Sequence, residues 1–381
     1  MLESRGVGSG RNFRGLVPQT FVLRRDGVFF SRNKSLLGLD IGSSCIKVVE
    51  LKDLGKGKGF HLVNASLEPL SPEAIVDGAI MDSGLVVEAL QRCFGAKRIK
   101  TSDCAIALSG HSVIIKRISL PVMSEEELAE SIQWEAEQYI PFDVEDVNIA
   151  YQILKGTHLA GDGNMDVLLV AAKKDKINDY TAVVGQAGKN AALVDVDVFA
   201  LQNAFEMNYE IDSGQTCALA NIGANVTNVS VLKGSSSIFW RDISVGGNQY
   251  NDAIRKELNL SFEQSERVKR GEDVEGAATE TVAPILSSVN DYVGAEIQKT
   301  LDFFKNTTPG ESIDRICVSG GASRVLGLLE SLGERFGIPV ERLDPFRRVT
   351  VGKDVPSETV EELSSCAAVA VGLASRKVGD R

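Results

Sequence analysis

No stretch of about 18 apolar residues occurs in this chain of 381 residues, so no membrane-spanning helix is predicted. The best apolar stretch, 167–172, has only strand length. Histidine is scarce, with only His61, His111 and His158, and the three do not cluster. The six cysteines, Cys45, Cys93, Cys104, Cys217, Cys317 and Cys366, form no CxxC pair. That scatter offers no metal site. Free cysteines without a secretory signal suit a reducing compartment, and all six are expected to be structural. Positive charge is in deficit: 41 Lys and Arg against 52 Asp and Glu leave a net −11. General nucleic-acid binding needs basic phosphate contacts and is disfavoured. The chain contains no GxxxxGK[ST], and no GxGxxG follows its first strand, which removes the P-loop and the Rossmann fingerprint.

What is present is ordinary globular composition, 43% hydrophobic and 24% charged, in a chain long enough for two or more cores. Residues 1–34 differ from the rest. They carry Arg5, Arg11, Arg14, Arg24, Arg25, Arg32 and Lys34 against Glu3 and Asp26, and they lack the apolar segment of a signal peptide. A disordered basic extension is expected there, dispensable for folding. An upstream start codon and a weak membrane-surface contact are the other readings.

From residue 36 onward, short aliphatic strands alternate with helical periods. A strand over 36–41, a turn at Gly42-Ser43-Ser44 and a return over 45–51 lead to a third strand over 60–67. A helix over 83–94 and strands over 103–108 and 113–120 follow. Ser124 and Glu127 form a capping box, and Pro141 ends the helix it opens. Leu128, Ile132, Ala136 and Tyr139 share one face of that helix, and Trp134 lies off it. Strands over 147–154 and 165–172, joined by a turn at 161–164, precede a helix over 175–185 and a strand over 192–196. The pattern then restarts, with strands over 216–222, 226–232 and 237–243 around a Gly223-Ala224-Asn225 turn. Helices are expected over 249–258, 261–270, 280–306, 325–336 and 361–375, with a buried strand over 313–318.

The restart is a duplication: LGLDIGSSCIKVVEL recurs as ALANIGANVTNVSVL, and each is followed by a third strand. Two such halves predict two α/β lobes facing each other across a cleft. A glycine between strands lets backbone approach a ligand without Cβ interference, and successive N–H groups in such a turn form an anion-binding nest. Opposed hairpins can therefore grip a triphosphate from both sides. Asp40 ends its strand where a carboxylate can orient waters around Mg²⁺. Ser43 and Ser44 add hydroxyls, and Lys47 can place an ammonium on phosphates. One such hairpin alone reads more readily as a plain glycine turn. Two matched hairpins, with the later turn Ser319-Gly320-Gly321 ahead of a helix expected near Ser323, favour the nucleotide.

Two DxG-type hairpins and a late SGG turn, in this order, resemble the phosphate-1, phosphate-2 and adenosine motifs of the actin/Hsp70/hexokinase superfamily, over nearly the whole chain from Leu36. Within it, GLDIGSSCIKVVEL, LPVMSEEELAESIQWEAEQYIPF, RDISVGGNQY, EIQKTLDFF and ICVSGGASRVLGL are similar to the PilM family of type IV pilus assembly proteins. The second of these segments resembles an inserted small subdomain (1C) that the family shares in position with the division protein FtsA. The resemblance implies an α/β, actin-like (ribonuclease H-like) duplicated two-lobe fold. The first lobe (1A) would span 35–110 and 173–210, the 1C insert 111–172, and the second lobe (2A/2B) 211–381.

The same resemblance implies ATP and Mg²⁺ as ligands. Asp40, Gly42, Ser43, Ser44 and Lys47 would hold phosphates and the metal shell, Asp40 through water. Gly223, Asn225 and Thr227 would form the second phosphate loop, and Gly246 and Gly247 would close that lobe near the nucleotide. Glu296 and Lys299 would approach ribose and base, and Gly320, Gly321 and Ser323 would flank adenosine. Asn221 stands at the second-motif aspartate, and Ala224 where actin carries an acidic residue. Asn serves neither as carboxylate ligand nor as base, so ATP binding with weak or absent turnover is expected. The implied role is pilus biogenesis and twitching motility. The implied partner is the short cytoplasmic N-terminus of a PilN-like inner-membrane protein, bound as an extended peptide between 1C and the first lobe, with Trp134 a contact candidate. The chain would thus be cytoplasmic, peripheral to the inner membrane through protein partners, and would link that platform to the pilus motor. An FtsA-like filament-forming membrane tether is the alternative, although the tail from Ala370 has no wide apolar stripe followed by basic residues. A small-molecule kinase is a third reading, without a sugar-kinase signature.

Overall fold

The structure, a computed structural model, describes residues 21–22, 35–55, 57–96, 99–154, 163–210 and 212–378. The expected extension over 1–34 therefore lies outside the described residues, except for strand β1 (Phe21–Val22). So does the first half of the turn expected at 161–164.

The first half of the fold begins with β2 (Leu37–Ile41), β3 (Cys45–Asp53) and β4 (Phe60–Pro69). A small hairpin of β5 (Ile75–Val76) and β6 (Ala79–Ile80), helix α1 (Ser83–Ala96) and strand β7 (Asp103–Leu108) come next. An insert follows, made of β8 (Val113–Pro121), α2 (Glu125–Glu137), β9 (Val147–Ile153) and β10 (Asn164–Lys173). Helix α3 (Lys174–Gln186), β11 (Asn190–Val196) and α4 (Asp197–Asn208) complete this half. The second half repeats the opening with β12 (Thr216–Ile222), β13 (Thr227–Lys233) and β14 (Ser236–Ile243). Helices α5 (Asn248–Leu258), α6 (Phe262–Lys269) and α7 (Thr279–Thr307) follow. The chain continues through β15 (Arg315–Ser319), α8 (Leu328–Phe336), β16 (Val340–Arg342), β17 (Thr350–Val351), α9 (Ser357–Leu363) and α10 (Ala368–Ala374).

The duplication read from the sequence is a duplication of topology. One sheet runs β4-β3-β2-β7-β11 and the other β14-β13-β12-β15-β16. In each, the first three strands form an antiparallel meander, and the fourth and fifth join parallel to the first. The first sheet carries two additions, β1 on the β11 edge and β17 on the β4 edge. Helices α4 and α10 pack on each other between the two sheets. Leu201 and Phe205 on α4, and Ala370 and Val371 on α10, share one cluster with Val49 of β3 and Leu219 of β12. Gly372 makes that crossing possible, because a Cβ there would lie 1.7 Å from the Ala200 carbonyl oxygen.

The insert forms its own three-stranded sheet, β8-β10-β9, against α2. The capping box is present: Ser124 Oγ accepts from Glu127 N at 3.2 Å, and the Glu127 carboxylate accepts from Ser124 N at 2.8 Å. Such a cap contributes about 1 kcal/mol. Leu128, Ile132 and Ala136 are buried against Val167 and Leu169, whereas Trp134 is 73% exposed. Burying a Leu or Ile side chain contributes roughly 1.5–3 kcal/mol, so this stripe sets how the helix lies on its sheet.

Three expectations need correction. Helix α4 was not anticipated. Val198, Phe199, Ala200, Leu201, Gln202, Ala204, Phe205 and Asn208 are all buried, so there is no polar face to produce an amphipathic period. The single helix expected over 361–375 is instead α9 and α10, broken where the Ser365 carbonyl turns away to accept the Gly320 amide at 2.8 Å. The helix expected from 325 begins at Leu328, because Gly327 takes φ +78° and separates it from a 3₁₀ turn, Gly321–Arg324.

Candidate functional site

The two hairpins close alike. Gly42 N donates to Cys45 O at 3.2 Å, and Gly223 N donates to Val226 O at 3.0 Å. They form opposite walls of one cavity, and their equivalent residues differ in chemistry. In the first hairpin Asp40 faces Lys47, with Lys47 Nζ donating to Asp40 Oδ2 at 3.1 Å. In the second, the register partners are Asn221 and Asn228, and Asn221 Nδ2 donates to Asn228 Oδ1 at 3.2 Å. Burial opposes the charge on Lys47, but the adjacent Asp40 carboxylate outweighs it, so the ammonium stays protonated more firmly than a free lysine.

The second hairpin also reaches across the cleft. Asn228 Nδ2 donates to Asp242 Oδ1 at 2.9 Å, and Asp242 Oδ2 accepts from the Gly110 amide of the first half at 2.7 Å. Ser244 and His111 approach to 3.4 Å beside it. Gly110 lies in the short turn that leads into the insert, so this chain of bonds connects the cavity wall to the base of β8.

The late glycine turn forms the third wall. Gly320 has φ +93°, and a Cβ there would come within 2.2 Å of the Ile222 carbonyl oxygen. Only glycine allows that loop to lie on the second hairpin. Asp40, Gly42, Ser43, Ser44, Lys47, Gly223, Asn225, Gly247, Gly320 and Gly321 all line the cavity.

Five expected residues do not line it. Thr227 is buried, and its hydroxyl donates to Val245 O at 2.7 Å, tying β13 to the following loop. Gly246 packs beneath the second hairpin, where a Cβ would meet the carbonyl oxygens of Gly223 and Ala224 at 2.6 Å. Ser323 is fully buried under the 3₁₀ turn. Glu296 and Lys299 pair with each other at 2.6 Å on α7. They share a helical stripe with Tyr292 and Phe303, both about half exposed to solvent.

The structure brings other groups to the cavity instead. On α6 and its C-cap, Glu266, Lys269 and Arg270 face it. Lys269 pairs with Glu266, which also accepts from Asn251 Nδ2 at 2.6 Å. Burial weakens the protonation of Lys269. At the other end stands Asp197, the first residue of α4. Burial, and then the neighbouring Asp40 carboxylate, push its carboxyl up to about 7, against the hydrogen bond from Ser109. A signal for the first group existed: Ser261 opens a capped helix carrying Glu-x-x-Lys-Arg. Asp197 had none, because α4 itself left none. Among the cysteines, Cys93, Cys104, Cys217 and Cys317 are buried, but Cys45 and Cys366 lie in the cavity wall.

The lining fits a nucleotide with its cation better than a cation alone. Among the described residues, no three His, Cys, Asp or Glu side chains group as metal ligands. A divalent ion would need phosphate oxygens to complete its shell. In the same wall the Ser365 hydroxyl is buried without a hydrogen-bond partner, a polar group that a ligand in the cavity would satisfy. Among the described residues, no helix is long and apolar enough to cross a membrane.

Comparisons agree with this architecture. The sequence model of the family described as type IV pilus assembly protein PilM matches residues 38–378. Among solved structures, a chain of the PilM-PilN type IV pilus biogenesis complex superposes with a TM-score of 0.79 at 26% identity, covering 92% of this chain and all of that one. The ethanolamine utilization protein EutJ from Carboxydothermus hydrogenoformans superposes at 0.53 with 14% identity, over 90% of this chain and 89% of its own, and shares the fold. The fold is the duplicated, two-lobe, actin-like α/β fold. The chain belongs to the type IV pilus assembly protein PilM family.

Proposed function

We propose that this chain is an ATP-binding scaffold of type IV pilus assembly, held on the cytoplasmic side of the inner membrane by the extended N-terminal peptide of a PilN-like membrane protein. The observation that carries the nucleotide part is the cavity walled by two matched hairpins. Residues of both turns line it together with Lys47, an arrangement suited to a polyphosphate. Asp40 and Asp197 would hold the water shell of Mg²⁺ brought in with the phosphates. Glu266, Lys269 and Arg270 would take ribose and base in place of Glu296 and Lys299.

Turnover is expected to be slow or absent, because Asn221 is an amide where a carboxylate would order an attacking water. The binding role stands without it. Support for the peptide comes from the similar chain, which belongs to a complex of PilM with PilN. It comes also from the insert's edge strand β9, which lies against β1 where β1 covers the β11 side of the first sheet. Such edges accept an extended chain by main-chain pairing. The scaffold reading is favoured over a filament-forming membrane tether by the family model, which matches residues 38–378.

Calorimetry with ATP, with and without Mg²⁺, tests the first part, and anisotropy of a labelled PilN-like N-terminal peptide tests the second. Absence of ATP binding, or a peptide affinity unaffected by replacing 113–172 with a short linker, would overturn the corresponding part.

A further inference from the structure

The outer edge of β11 is already occupied by the chain itself. β1 pairs antiparallel with it, Phe21 opposite Val194 and Val22 opposite Leu193, and β1 also lies against β9 of the insert. Without β1, the first sheet would end at β11 and present unpaired N–H and C=O groups to the groove between that sheet and β9. This edge borders the place that the reading above gives to the partner peptide, and the present inference rests on that reading. One backbone edge accepts one strand at a time, so the two pairings exclude each other.

We propose that residues around Phe21–Val22 are an intramolecular competitor for the peptide groove, displaced when the partner's N-terminal peptide binds. Residues 23–34 tether this segment to the core, so the competitor acts at an effective concentration on the order of millimolar. Its pairing covers only two residues of β11, so a longer strand can replace it. Occupancy of the groove by β1 lowers the apparent affinity for the partner by the fraction of molecules in which the edge is free.

The test uses the full chain and a double variant, Phe21→Pro with Val22→Pro, which removes both N–H donors from β1. Hydrogen exchange over Leu193 and Val194 reports the edge directly, because successive N–H groups of a strand point to opposite sides and one of these two faces β1. Anisotropy of the labelled PilN-like peptide reports competition. The variant is expected to lose protection at 193–194 and to bind the peptide about tenfold more tightly, the ratio for an edge about nine-tenths occupied. A synthetic peptide of residues 16–28, added in trans, should restore protection and displace the labelled peptide. Unchanged exchange would overturn the occupancy of the edge, whatever the partner does. Altered exchange with equal peptide affinity would overturn competition while leaving the partner reading intact. Altered exchange with no peptide bound by either protein would overturn competition together with the partner reading, and would leave β1 as a structural strand.

Discussion

The two hairpins share length, turn and topology, yet their equivalent positions do different work. Asp40 and Lys47 form an ion pair confined to the first hairpin. Asn221 and Asn228 form an amide pair that passes its polarity on to Asp242 and to Gly110 in the other lobe. One copy presents a charged pair to the cavity, and the other carries neutral groups that connect it to the other lobe.

If that division is right, breaking the charged pair should cost far more binding than breaking the neutral one. Lys47→Ala removes a cation and leaves Asp40 to repel phosphate. Hydrogen bonds to charged groups contribute roughly 1.5–3 kcal/mol, so calorimetry should show ATP affinity falling about tenfold to a hundredfold. Asn228→Ala, measured the same way, should cost less than about fivefold. Comparable losses for the two variants would erase the distinction.

The next largest effect comes from making the copies more alike. Asn221→Asp places a carboxylate at the second hairpin and should raise Mg²⁺-dependent phosphate release by at least about tenfold, short of the roughly hundredfold or more that a fully positioned base contributes. A rate equal to that of the wild type would mean that Asn221 is not what limits turnover.

Much of this comparison was legible before the fold was known, and the reason is local. A hairpin is set by residues adjacent in sequence: two aliphatic strands and a glycine that closes the turn. The register that brings Asp40 to Lys47 follows from counting. Helix α2 was legible for the same reason, with its cap and stripe within one segment. What failed was what depends on the other lobe. Glu296 with Lys299 and Glu266 with Lys269 are both Glu-x-x-Lys pairs on helices, and nothing within either segment says which helix faces the cleft. The break between α9 and α10 depends on an amide at Gly320, far away in sequence. Helix α4, in which no residue is exposed, lacks the polar face by which a helix announces itself, and with α4 went Asp197. Ser323 and Thr227 are polar residues in motif-like positions whose hydroxyls the fold turned inward.

Asp197 gives a smaller effect, and one that depends on pH. Its carboxyl is raised from the ordinary 3.8 to about 7 in the folded state, so the native protein binds this proton more tightly than the unfolded chain. Stability from this group is therefore greatest below about pH 4, falls as pH rises through 7, and is constant above it. Asp197→Asn removes the penalty. Denaturant unfolding should show the variant more stable by about 1 kcal/mol at pH 8, allowing for partial solvent access, and indistinguishable near pH 4. An equal difference at both pH values would assign the effect to packing instead of charge.

The smallest effect probes the neutral copy's reach across the cleft. Asp242 holds two donors from different lobes, Asn228 Nδ2 at 2.9 Å and the Gly110 amide at 2.7 Å. Asp242→Asn keeps the shape but removes the charge and offers only one acceptor oxygen, so one donor keeps a neutral partner and the other loses its acceptor. A net hydrogen bond contributes about 0.5–1.5 kcal/mol, and an exposed replacement partner such as water recovers part of it, so stability should fall by about 0.5–1 kcal/mol. The location of the change matters more than its size. Gly110 precedes the insert by one short turn, so loosening this bond should speed amide exchange at 110–113 and at the base of β8, with the insert's own core around Leu128 and Leu169 unchanged. In Lys47→Ala, whose pair stays within its hairpin, exchange at 110–113 should not move. If both variants loosen that turn equally, the second hairpin has no privileged connection to the insert, and the two copies differ only in the charge they present to the cavity.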